Sequence, residues 1–218
     1  SGAIGGTAVG IFIIEPVAPR ITSVTQLQQT DLNISGELGS IISNFAAKYS
    51  LSILGNLHQK FQRKEVKVDS ETRSAFIEKI GAAPALEQSQ KDLISRCLKV
   101  EGTGASKFME LKSDSYRIKL FQKKDDGSSV RIGKAVAEID ASAEEVLAWR
   151  CAWCSREKMR IHREDPRSIS RSVVKDIAIN NSIVETTKKF PFPLKNREFV
   201  VQTSWSGPDA DGAFLYCW

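Results

Sequence analysis

FPFPLKNREFVV, residues Phe190 to Val201, decides how this chain is read. Prolines at 191 and 193 hold the backbone around Phe192 extended and exclude a helix there. After a short Leu194-Lys195-Asn196 turn, Arg197-Glu198 opens a run of period two. Phe199, Val201, Thr203 and Trp205 fall on one face, and Glu198, Val200, Gln202 and Ser204 on the other. A strand with a large aromatic at each end of one face suits the wall of a deep apolar cavity. Alternation alone favours a filled core over a cavity, and nothing in the stretch is arranged like a catalytic centre.

Working outward, Ile169 to Ile177 and Ile183 to Phe190 read as two strands joined at Asn180-Asn181. Val184 and Thr186, on the second of these, are the further candidates for the wall. Gly207-Pro208-Asp209 turns the chain into a last strand, which runs to Trp218. Further upstream Tyr116, Ile118 and Leu120 alternate with Arg117, Lys119 and Phe121, and Asp125-Asp126-Gly127 predicts a hairpin turn. Between these strand groups Ser142 and Glu145 have the spacing of a capping box. The helix they start carries Val146, Trp149 and Trp153 on one stripe and Leu147, Cys151 and Cys154 on its neighbour. Hairpin-linked strands with helices segregated to one side predict an α+β architecture built on an antiparallel sheet.

The proline-and-arginine stretch resembles a segment of the START lipid-transfer family, whose pattern is PFP-x-x-NRD-aromatic-V, and it looks most like the members that carry phosphatidylcholine. Tyr116 to Lys123 resembles the first strand of that fold and Val130 to Asp140 the second. Ala141 to His162 resembles the helical crossover, with SREKM in the place of a family ER-x-x-W turn. The resemblance covers roughly residues 86–218. It implies the helix-grip fold, a curved antiparallel sheet wrapped around a long C-terminal helix that would lie beyond Trp218. It also implies a lipid, phospholipid or sterol-like, held noncovalently by Val184, Thr186, Phe199, Val201, Thr203 and Trp205. Several family members carry an arginine six residues after the motif arginine, inside the tunnel; Thr203 stands there in this chain. The resemblance therefore leaves the polar anchor of the head group without a residue at that point. Arg197-Glu198 is expected to fix the turn.

The N-terminal 85 residues lie outside the resemblance. Ala3 to Ile14 (AIGGTAVGIFII) are apolar but number only 12, short of the roughly 18 that span a bilayer. Residues 1–20 read either as the end of a membrane helix, with Gly2, Gly6 and Gly10 at close-packing spacing, or as an apolar leader. Residues 21–85 read as a helical region. Ile41, Ile42, Phe45 and Tyr49, with Ile53, Leu54, Leu57 and Phe61 beyond, recur at helical spacing, and a second helix runs from Asp69 to Gly81. The resemblance makes residues 86–218 a partial lipid-binding domain, and a helix is expected to open it from Leu86 to Val100.

Composition narrows the function classes. The 31 basic and 26 acidic residues of this 218-residue chain give a mild net charge of +5, spread rather than blocked. No arginine-rich or aromatic-basic tract argues for nucleic acid, and transient contact with a membrane surface is the expected association. Four cysteines at 97, 151, 154 and 217 include one CxxC inside a helix, half of a zinc site at most, and read as small buried hydrophobes in a reducing, cytoplasmic setting. His58 reads as a surface residue, and His162 has no nucleophile at recognisable spacing. No metal, cofactor or catalytic role is expected. Two alternatives to lipid binding remain: a ligand-free docking module of a membrane-attached protein, and an enzyme built on the helix-grip fold.

Overall fold

The apolar run near the N-terminus is a strand. In the computed structural model, which describes residues 4–5, 7–31, 53–62, 70–102, 108–113, 115–124, 131–190 and 195–218, a dipeptide strand β1 (Ile4–Gly5) leads into β2 (Thr7–Ala18). A turn at Pro19-Arg20, with Arg20 at φ 61°, joins β2 to β3 (Ile21–Asp31). Residues 7–18, read as part of a leader or membrane helix, are thus a strand, and residues 21–31 are a strand where a helical region was expected. The physical reason is burial on both faces. Ile11 packs into one apolar cluster and Phe12 and Ile14 into another. A two-sided strand loses the apolar-polar alternation and reads as an unbroken apolar run. No described helix is long and apolar enough to cross a membrane.

The remaining elements follow in chain order. Helix α1 spans 53–62, α2 Ser70–Gly81 and α3 Gln88–Gly102. Strands β4 (Met109–Leu111), β5 (Ile118–Lys124) and β6 (Arg131–Ile139) precede α4 (Ala143–Cys151) and α5 (Arg156–Glu164). Strands β7 (Ser168–Ala178), β8 (Asn181–Lys188), β9 (Arg197–Ser206) and β10 (Phe214–Cys217) complete the described chain. The strand bounded by Arg197 and Ser206 is the one the alternation predicts. The expected hairpin turn at 125–127 and the helical spacing from Ile41 to Tyr49 lie outside the described residues.

The protein is α+β, with one large sheet in the order β4-β5-β6-β3-β2-β10-β9-β8-β7. Neighbours on that path are antiparallel; β1 pairs with β9 in parallel, off the path. Each face of the sheet has its own cover. On one, Phe12, Ile14, Val24, Ile118, Ala137, Trp205 and Tyr216 pack with Leu54 and Leu57 of α1, Phe76 of α2 and Val146 and Leu147 of α4. On the other, Ile11, Leu27 and Cys217 pack against Leu93, Ile94 and Cys97 of α3. The capping box that starts α4 is present, with Ser142 Oγ accepting from the Glu145 backbone N–H and Glu145 accepting from the Ser142 backbone N–H.

His58 is the clearest local surprise. It is 4% exposed, and its ring nitrogen Nδ1 lies 3.0 Å from the Glu138 carbonyl oxygen. The α1 face that carries Leu54, Leu57 and His58 is turned onto β6, which overrides the polar Gln59-Lys60 neighbours that suggested a surface position.

Candidate ligand-binding site

All six residues assigned to the wall lie on the α4 face of adjacent strands. Val184 sits opposite Val201 and Thr186 opposite Phe199. Because directly opposed residues of an antiparallel pair point the same way, β8 and β9 present one continuous surface. Trp205 continues it across β10 to Tyr216 and from there to Phe12 of β2.

Burial along this surface is uneven. Trp205 is closed, 3% exposed, with its ring 5.7 Å from that of Phe76. Val184 and Thr203 are also buried, and the Thr203 hydroxyl donates to the Ser182 carbonyl at 3.2 Å. Toward the other end Phe199, Val201 and Thr186 are only half-buried, and Val173, opposite Val184 on β7, is 39% exposed. The wall is closed at the Trp205 end and only half-buried at the Phe199 end.

Arg197 is buried, donates from Nη1 to the Lys195 carbonyl at 3.0 Å, and lies 5.9 Å from the Phe190 ring. These contacts tie the two ends of the 191–194 segment together, while Glu198 is exposed.

A set of cations stands beside the wall, and sequence reading missed it. Arg150, in the last turn of α4, stacks over three rings, 4.4 Å from Phe12, 4.9 Å from Tyr216 and 5.7 Å from Trp218. Its Nε is closed off from solvent and has no hydrogen-bond partner. Lys158 of α5 is buried and donates to the Arg150 carbonyl at 3.1 Å. Arg171 of β7 donates from Nε to the Trp153 carbonyl at 2.7 Å and lies 3.7 Å from the Trp153 ring. Burial lowers all three. It holds the Lys158 ammonium well below the ordinary lysine range, with the Arg150 and Arg171 charges adding to the effect, and brings Arg171 to about 10. The signal was hard to find because the three residues come from α4, α5 and β7, with no shared motif.

The other polar groups offer less chemistry. Cys151 is half-buried and its thiol is pushed up to about 12 by burial, far from a nucleophile's range. Cys154, expected to be buried, is exposed because the helix ends at Cys151. Cys97 and Cys217 are both buried and unbridged. Among the described residues no cluster of three metal-ligating side chains occurs. A groove of about 540 Å³ lies on the opposite face, between Ile94, Leu98 and Lys99 of α3 and Ser206 and Leu215; none of the six wall residues lines it. No family model, curated protein or solved structure matches this chain.

Proposed function

We propose that this protein binds a lipid noncovalently on the α4 face of β7–β10, in a helix-grip domain of START type, and that it releases or acquires the lipid at a membrane surface. The observation that carries the reading is the graded wall. Val184 and Trp205 on this face of β8 and β9 are buried, whereas Phe199, Val201 and Thr186 are only half-buried. An acyl chain laid there gains about 0.8 kcal/mol per buried methylene, so tight binding needs few specific contacts.

The strand order supports the helix-grip part of the proposal. If β10 were followed by β2, the strands β7-β8-β9-β10-β2-β3 would form one uninterrupted meander, closed on its far side by β6-β5-β4. Helix α1 follows β3 and packs into the same core as α4. Trp218 and Gly10 already exchange two backbone hydrogen bonds, 2.9 and 3.0 Å, as consecutive strands of a hairpin do.

A second reading, a docking module without ligand, is favoured by the filled Trp205–Phe76 end. Native mass spectrometry of the delipidated protein after exposure to mixed lipids separates the two. Lipid transfer or sensing requires one lipid per protein, lost in Val201→Trp. An unloaded protein at every lipid concentration favours the docking module.

A further inference from the structure

We propose that the cluster at the junction of α4, α5 and β7 seats the anionic head of the bound lipid, a carboxylate or phosphate at the end of an acyl chain, with Arg150 and Arg171 as its ligands. The inference rests on the lipid-binding reading and adds the class of head group to it.

Three basic side chains converge here, and none has an acidic partner among the described residues. Glu157, next to Lys158 in sequence, is taken by Lys60 at 2.5 Å. Asp165, which ends α5, is taken by Lys188 at 3.0 Å. What faces the cations is aromatic rings, the Tyr216 hydroxyl that bonds Arg150, the Cys151 and Cys154 thiols, and the carbonyls of Arg150 and Trp153. Those carbonyls lie at the C-terminal end of α4, where the helix dipole supplies about half a negative charge. That suits one cation and leaves a surplus of positive charge in a poorly solvated place. Buried charges without a counter-ion are costly, and a protein keeps them where something completes the set.

The residues divide the work. Lys158 satisfies the orphan carbonyl of Arg150 and is spent on the helix end. Arg150 is held flat by Phe12, Tyr216 and Trp218 with its Nε unpartnered, and the Trp153 indole N–H beside Arg171 is likewise buried without an acceptor. Two unmet donors from neighbouring residues call for an oxygen acceptor. Guanidinium pairs bind oxyanions in two-point fashion. Arg171 is opposite Thr186, which is opposite Phe199, so an anion at Arg171 leaves its acyl chain one strand away from the half-buried end of the wall. The anchor that Thr203 does not provide on β9 is provided from α4 and β7.

Competition binding on the full chain tests the idea, with oleate, lysophosphatidic acid, neutral mono-oleoylglycerol, zwitterionic lysophosphatidylcholine and inorganic phosphate as probes. The two anionic lipids should bind about tenfold or more tightly than the neutral one, the difference that a charge-assisted hydrogen bond confers. Arg150→Met and Arg171→Met should each erase that preference. Arg150→Lys, which keeps the charge, should retain part of it, and each Met variant should melt no lower than the wild type without ligand. Equal binding of anionic and neutral lipids overturns the head-group proposal and leaves lipid binding standing. Failure of all four lipids overturns both. Inorganic phosphate binding as tightly as lysophosphatidic acid overturns the lipid head group in favour of a free anion.

Discussion

Trp205 and Phe199 lie on the same face of the same strand, and truncating each should cost very different amounts. Trp205 is 3% exposed and packed on Phe76, so Trp205→Ala removes a fully buried indole and leaves a hole, an effect of about 3–5 kcal/mol. Phe199 is half-buried. Burying a whole Phe is worth about 1.5–3 kcal/mol, half of that is about 1 kcal/mol, and a half-buried site adds little cavity penalty. With a urea m-value of about 2.5 kcal/mol/M, in the upper range for a domain of this size, the midpoint should fall by about 1.6 M for Trp205→Ala and about 0.4 M for Phe199→Ala. Equilibrium unfolding followed by far-UV circular dichroism avoids the loss of tryptophan signal. Equal losses of 3 kcal/mol or more in both variants would refute the graded wall, because Phe199 would then be packed as core.

Two further outcomes follow from particular contacts. A Cβ at Gly10 meets the Trp218 indole and lies 2.7 Å from the Leu27 carbonyl oxygen; Gly10→Val should therefore destabilise by about 1–3 kcal/mol and weaken the near-ultraviolet dichroism of Trp218, and an unperturbed spectrum would count against that packing. Lys158 has a lowered folded pKa, so in the range between that value and the ordinary lysine value the unfolded chain binds the extra proton and stability rises with pH; urea titrations should show the wild type gaining on Lys158→Met up to about pH 10.5, and a difference independent of pH would contradict the burial.

How much of this was legible in the sequence depended on how many surfaces each element buries. Strand β9 alternates cleanly and carries a motif, so its bounds and its face were readable from Arg197 to Ser206. Helix α4 announced itself through its capping box. Strand β2 did not, because Ile11 and Phe12 bury opposite faces and the run resembles a leader; its partners β3, β6 and β10 are distant in sequence, so nothing local signals the pairing. His58 failed for a related reason, since its burial depends on which way α1 lies on β6. The six wall residues are assigned by one periodicity. The cations Arg150, Lys158 and Arg171 are 21 residues apart at most in sequence yet follow three different periods, and only the fold makes them neighbours.

The most direct measurement of the central claim is quenching of the intrinsic fluorescence by a lipid brominated along its acyl chain. The four tryptophans, Trp149, Trp153, Trp205 and Trp218, stand on or beside the α4 face. The account predicts saturable quenching that ends at one lipid per protein and is relieved by unbrominated lipid. Quenching that is absent, or that grows with vesicle surface without saturating, would contradict it.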